Sequence, residues 1–442
     1  MDSSLSDRDT SGTKPRLPPS VTSFGLNLIA LAVLLGTLYF LRTRHITNVD
    51  PMIVLMSSLS IPIVLVDILV LKVHRRKSTG LEWDGARPPD FGRVFTKLIG
   101  LALTVGLIAL AYWSFPEYQG SFYDPLYNAL RRFWISLVLL ACFYVWFVDG
   151  LMREPRDAYW QLGRLVLGRF SDARASDIAN HFRGWLVKAY FFPLMFVWLH
   201  NSVHELIYFD LTNATWGNLR LYDYLYTLVF GVDLLFTTAG YALSLRVIDT
   251  QIRTAEPTMF GWTVALFCYQ PFFSLMERQY VSYGGNVSFG GWLEGWPITR
   301  GIWAAVIIAL LATYSLATVA FGVRFSNLTN RGILTGGPYR FSKHPAYLTK
   351  NLSWWLISVP FLHSPPATAI RHCIALGCIN MIYFLRARTE EKHLSRDADY
   401  VAYALWMNDH GVLAFLGRWI PVLRYRPPAQ TPAAAPMPIA AE

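Results

Sequence analysis

Two clusters of polar and charged residues near the C-terminal end have the residue types of a small-ligand site. The first, GILTGGPYRFSKHPAYL, runs from Gly332 to Leu348; the second, RARTEEKHL, from Arg386 to Leu394. His344 and Tyr347 stand three apart, the spacing of one helical face, and each ends a flat ring in a polar tip. Arg386 and Glu390 are i, i+4 and share a face in the same way. Glu390 could accept hydrogen bonds from an amino group or ribose hydroxyls, and Arg386 could pair with an acidic group of a substrate. Gly336-Gly337-Pro338 predicts a tight turn, because glycine admits unusual dihedrals and proline fixes one. A helix should then start near Pro345, where the missing proline N–H would be unpaired anyway. Backbone N–H groups at that helix start could bind a carboxylate or phosphate. Each motif alone also reads as a turn or an interfacial anchor; specificity comes from their pairing.

The pairing follows from what lies between them. Two apolar runs, Leu352 to Leu362 and Ala367 to Leu385, are broken by His363-Ser364-Pro365-Pro366. A membrane helical hairpin there returns both motifs to one membrane face, so residues far apart in sequence line one polar pocket. The rest of the chain agrees with a membrane setting. Of 442 residues, 53% are hydrophobic and only 15% charged, against about 25% charged in soluble domains. The fold class expected is all-α, a polytopic integral membrane protein, since lipid cannot satisfy open backbone groups. Ten candidate spans are read, at roughly 22–41, 52–71, 98–115, 133–151, 185–199, 222–245, 259–276, 302–323, 347–362 and 367–385, each judged against about 30 Å of hydrocarbon.

Charge bias sets an expected orientation. The loop 72–97 carries Lys72, Arg75, Arg76, Lys77, Arg87, Arg93 and Lys97; the loop 152–184 is also rich in arginine, and 324–350 holds basic residues and no acid. With ten spans these loops, both termini and both motifs fall on the cytosolic side, in a bacterial inner membrane or the endoplasmic reticulum. The net charge of +10 reads as this bias and contact with anionic lipid; no nucleic-acid recognition module is present. Residues 1–21 are expected as a disordered polar tail, 22–255 as a six-helix region, 256–425 as the motif-bearing region, and 426–442 as a disordered Pro/Ala-rich tail. The cysteines, Cys142, Cys268, Cys373 and Cys378, all lie in apolar runs and read as buried small residues.

The C-terminal stretch resembles the isoprenylcysteine carboxyl methyltransferase family and its relatives among phospholipid methyltransferases. Tyr339 is followed five residues later by His344-Pro345-Ala346-Tyr347, and the second family motif is matched by Arg386-Ala387-Arg388-Thr389-Glu390-Glu391, with Tyr400 and Tyr403 beyond it. The likeness covers about residues 320–410. It implies a membrane enzyme that uses S-adenosylmethionine on a lipid or prenylated, lipid-like acceptor. By this resemblance Arg331, Gly332, Ile333, Leu334, Tyr339, His344, Pro345, Ala346, Tyr347, Glu390 and Glu391 would hold the cofactor, and Arg386 would face the acceptor. Two departures stand out: Lys343 replaces the usual arginine before the His-Pro pair, and Arg324 lies near the position of a family glutamine.

Other readings compete. An NADPH-dependent membrane ene-reductase like the sterol C14 reductases also has ten spans, but His-Pro-Ala-Tyr and paired Glu390-Glu391 are the transferase form. A transporter or scaffold would use Asp67 and Asp233, acids inside apparent spans, which mark either a polar path or helix–helix hydrogen bonds. Asp149 reads as the cytosolic end of its helix. His200, His204 and Glu205 lack a third metal ligand, so no metal is expected.

Overall fold

Helices form over the long apolar runs, and two of them continue through an internal proline, Pro62 and Pro193. The computed structural model describes residues 16–44, 49–285 and 287–428, and these are almost wholly helical. The helices are α1 (Phe24–Arg44), α2 (Pro51–Leu69), α3 (Phe91–Ser114), α4 (Asp124–Asp149), α5 (Ala158–Val166), α6 (Ala175–Tyr208), α7 (Arg220–Ala242), α8 (Met259–Leu266), α9 (Phe272–Gln279), α10 (Phe289–Trp292), α11 (Pro297–Phe321), α12 (Pro345–Ser358), α13 (Pro366–Leu394), α14 (Ala398–His410) and α15 (Ala414–Trp419). Two short antiparallel strands, β1 (Thr254–Ala255) and β2 (Thr329–Asn330), tie the loop before α8 to the loop after α11.

Seven helices among the described residues are long and apolar enough to cross a membrane: α1, α2, α3, α4, α7, α11 and α13. The other three predicted spans take different forms. The span at 185–199 lies inside the 34-residue α6, whose length also carries Arg183, Lys188 and Glu205. The span at 259–276 is two eight-residue helices, the first ending at Leu266 and the second starting after Pro271. The span at 347–362 is the 14-residue α12, ended by Val359 in the left-handed region and by Pro360. At 1.5 Å per residue it reaches about 21 Å, short of a full crossing.

The helix α7 is central. In its most apolar stretch 67% of residues are buried within the protein, against 11% for the peripheral α4. One apolar cluster joins Leu34 of α1, Leu55 of α2, Phe191 of α6, Phe236 of α7 and Val319 of α11. The N-terminal and motif-bearing regions therefore share a core. Asp149, at the end of α4, is buried and braced from α3 by Arg93 at 2.6 Å and Lys97 at 2.8 Å, so its carboxylate joins helices as well as ending one. Asp233 of α7 likewise accepts from the Tyr314 and Thr318 hydroxyls of α11, the helix–helix arrangement.

Residues near both ends of the described chain pack on the motifs. Residues 16–21, assigned by composition to the N-terminal tail, lie along the first motif: Val21 N–H donates to the Ile333 carbonyl at 3.0 Å, and the Thr335 hydroxyl donates to the Pro18 carbonyl at 2.9 Å. Leu17 packs on a cluster of Ile333, Tyr400, Tyr403 and Tyr425. Residues 1–15 and 429–442, the remainder of the two expected tails, lie outside the described residues.

Candidate functional site

The turn of the first motif is built as its glycines require. Residues Gly337–Arg340 form one 3-10 turn, with Gly337 at φ +58. A Cβ on Gly337 would lie 2.7 Å from the Phe24 ring, whereas one on Gly336 would meet nothing closer than 3.8 Å. Gly337→Ala should therefore cost about 1–2 kcal/mol from the left-handed backbone alone, with the ring clash added. Gly336→Ala, at φ −102, should be close to neutral. Thermal unfolding of the two purified variants in one detergent checks this; equal melting temperatures would remove the constraint.

After the turn α12 starts at Pro345, with His344 as its N-terminal cap and no side chain capping its free N–H groups. Packing locks the hairpin: Trp355 Nε1 donates to Asn380 Oδ1 at 2.7 Å, and Asn380 Nδ2 donates to Asn351 Oδ1 at 2.6 Å. The helix α13 runs unbroken through the second motif to Leu394, so the i, i+4 relation of Arg386 and Glu390 is real.

The hairpin brings the two motifs together. His344 and Tyr347 stack at 5.5 Å between centroids and 8° between planes. The Tyr347 hydroxyl donates to Glu390 Oε2 at 2.8 Å. Arg386 is buried, donates to Asn327 Oδ1 at 2.7 Å, and lies between the rings of Tyr347 and Tyr269 at 5.1 and 5.3 Å. One cavity is lined by Arg331, Gly332, Ile333, Leu334, Tyr339, His344, Ala346, Tyr347, Arg386 and Glu390. Its walls enclose about 1430 Å³ of non-atom space, the part open to solvent included.

Pro345 and Glu391 do not line this cavity. Pro345 sets the start of α12. Glu391 turns to the other side of the His344–Tyr347 pair, where it faces a second, mostly apolar cavity. There it pairs with Lys343 at 2.6 Å, Arg388 at 2.6 Å and His344 Nε2 at 3.3 Å. Lys343, at the position where the family has arginine, thus carries an ion pair that holds the histidine's partner. Arg331 borders the cavity, but its guanidinium donates to the Gly240 carbonyl at 2.7 Å and to Ser244 Oγ at 3.2 Å, beside the end of α7.

Several wall residues lie outside the two motifs. Asn327 and Tyr269 fix Arg386, and Glu256 and Tyr383 also line the cavity. Asn327 is one of several polar residues just past the span at 302–323, with nothing in the sequence to single it out; Tyr269 sits inside the stretch expected as one continuous span. Arg324 also lines the cavity and donates to the carbonyls of Ile248 and Asp249, a backbone brace. Burial and the nearby Glu390 charge push the Tyr339 phenol well above its ordinary pKa. Burial, with Glu391 and Glu390 beside it, does the same to Tyr400. Both rings therefore remain neutral. Burial pulls Arg331 down to about 10, which leaves it charged near neutrality. Such clustering of perturbed groups is common at functional sites.

The chemistry of the wall fits a small zwitterion or nucleoside. Uncapped N–H groups at the start of α12 suit a carboxylate, Glu390 suits hydroxyl or amino donors, and the rings suit a base or a sulfonium. Thr329, Arg331 and Tyr400 each keep a buried polar atom with no partner among the described residues. His200, His204 and Glu205 form no metal-binding group among the described residues.

Comparison with known proteins agrees with this location. Residues 301–396 match the isoprenylcysteine carboxyl methyltransferase (ICMT) family, from α11 through the second motif. Among curated proteins and solved structures no match to the chain is found.

Proposed function

With that family match over residues 301–396 as the premise, we propose that the chain is a membrane-embedded S-adenosylmethionine-dependent methyltransferase acting on a lipid or lipid-like acceptor. The observation that carries the reading is the single cavity in which the segment 331–334, His344, Tyr347, Arg386 and Glu390 converge. S-adenosylmethionine supplies a methyl group already made electrophilic by a sulfonium. The residues therefore need to orient more than to activate, and holding reactants in line can contribute several kcal/mol. Glu390, fixed by the Tyr347 hydroxyl, would accept from the ribose or amino group. The start of α12 at Ala346 would take the carboxylate. The Tyr347 and Tyr269 faces hold Arg386 rigid at the acceptor side, where its remaining N–H donors would orient an oxyanion. A carboxylate or thiolate acceptor needs no general base. The lipid-like acceptor is supported by the membrane-length helices and by the apolar second cavity, which shares His344, Tyr347 and Tyr383 with the first. The charge bias of the loops favours a site facing the cytosol.

Thermal unfolding with S-adenosylhomocysteine and, separately, with NADPH tests the reading. A ligand at a hundred times its Kd stabilises by about 2.7 kcal/mol. S-adenosylhomocysteine should raise the melting temperature and NADPH should not; the reverse result would replace the transferase with a reductase. Lipid mass spectra of cells with and without the protein should then show one species gaining the mass of a methylene group.

A further inference from the structure

A third cavity adjoins the first, walled mainly by helices that lie outside the family match. Asn201, Ser202 and Glu205 come from α6, Asp233 and Thr237 from α7, and Tyr314, Phe325, Tyr269 and Lys350 form the boundary it shares with the first cavity. Lys350, one turn past Tyr347 on α12, stands at that boundary. Its ammonium faces the rings of Tyr314, Trp354 and Phe230 at 5.0, 5.5 and 5.9 Å. Aromatic faces favour a cation but satisfy none of its three N–H donors. The obvious counter-ion is already engaged: both Asp233 oxygens accept from Tyr314 and Thr318, and the Lys350 ammonium forms no ion pair or hydrogen bond among the described residues. Lys350 is half-buried, and an ammonium with free donors beside a cavity gains when an acceptor arrives. A lysine kept purely to neutralise Asp233 would close to salt-bridge distance, which this one does not.

We infer that this chamber receives the head group of the acceptor and that Lys350 is the positioning residue for an oxyanion on it, a carboxylate or a phosphate. The inference rests on the proposed transferase only for calling the ligand an acceptor. The six-helix N-terminal region, which the matched segment does not include, then supplies the specificity half of the site. It sets the depth and polarity of the chamber through α6 and α7, while the hairpin α12–α13 carries Glu390 toward the donor and Lys350 toward the chamber.

The test uses the full chain in nanodiscs of zwitterionic lipid and four amphiphiles with one tetradecyl chain: tetradecanoate, tetradecyl phosphate, tetradecanol and tetradecylamine. Apparent affinities are read from thermal stabilisation. Wild type should bind both oxyanions and discriminate against the alcohol and the amine; the tighter oxyanion identifies carboxylate or phosphate as the source. Lys350→Met should lose about ten-fold or more in affinity for both, the effect of one charge-assisted hydrogen bond. Lys350→Arg should recover most of the loss. Equal binding of all four amphiphiles by wild type overturns the inference, as does oxyanion affinity retained in Lys350→Met. Should Lys350→Met fail to fold, the ranking of the four ligands on wild type decides alone. If S-adenosylhomocysteine does not bind wild type, the transferase reading fails while the oxyanion ranking still stands or falls by itself.

Discussion

Replacing Glu390 with alanine should give a folded membrane protein whose affinity for S-adenosylhomocysteine is lower by about 100-fold or more. A hydrogen bond to a charged group contributes about 1.5–3 kcal/mol, and a carboxylate facing a ribose or amino group can make two. Each 1.4 kcal/mol is a factor of ten. The Tyr347 hydroxyl adds to the effect, because it donates to Glu390 at 2.8 Å and would lose its acceptor inside a polar wall. The fold itself should survive, since Glu390 is only half-buried and forms no ion pair among the described residues. Glu390→Gln separates charge from shape: it keeps an acceptor for Tyr347 and should lose less. Isothermal titration of S-adenosylhomocysteine into both variants measures the difference. An Ala variant with wild-type affinity would remove Glu390 from the cofactor site. Glu391→Ala should behave differently. It strips the partner from Lys343, His344 and Arg388 and should act first on stability.

The sequence made the site more legible than the scaffold. The pairing of His344 with Tyr347, and of Arg386 with Glu390, depends only on helical spacing, and spacing survives any error in where a span begins. The start of α12 at Pro345 was readable because proline at a helix start has a single steric reason. The short form of α12 was not, because Trp354 to Leu362 is apolar apart from Ser358 and only Val359 and Pro360, with their backbone angles, end it. Similarly α8 and α9 read as one span by hydropathy, although Pro271 divides them. That division places Tyr269 against Arg386. Glu391 was indistinguishable from Glu390 as one of a pair of acids. Neighbours on a helix point about 100° apart, and only packing against Lys343 decides which acid meets the cavity. The contribution of residues 16–21 had no signal, since a Pro/Ser-rich stretch offers no periodicity to read. Helices α6 and α7 showed their membrane character in sequence, but nothing in them announced a wall beside Lys350.

Arg386→Lys should lower methyl transfer by about 100-fold while leaving S-adenosylhomocysteine affinity within about three-fold, and that split is the informative result. Lysine preserves the charge, so any loss reports geometry. The guanidinium lies over the rings of Tyr269 and Tyr347 and anchors to Asn327 Oδ1 at 2.7 Å. A lysine ammonium is a point charge on a flexible stem and cannot reproduce the planar fork. Misplacement of a positioning group by about 1 Å can cost 100-fold in rate, which is the magnitude expected here. Asn327 is itself held from behind, its Nδ2 donating to the Tyr241 hydroxyl at 3.0 Å. Asn327→Ala should therefore lower the rate in the same direction by a smaller factor. Combining it with Arg386→Lys should add little, because both changes release the same guanidinium. The assay is transfer of labelled methyl from S-adenosylmethionine into organic-extractable material of membranes carrying each variant, beside titrations with S-adenosylhomocysteine. If Arg386→Lys retains full transfer, the arginine is a packing residue between two tyrosines and the acceptor is oriented elsewhere. If it loses cofactor affinity and rate together, Arg386 belongs to the donor half of the cavity, and the division of labour between the two motifs is reversed.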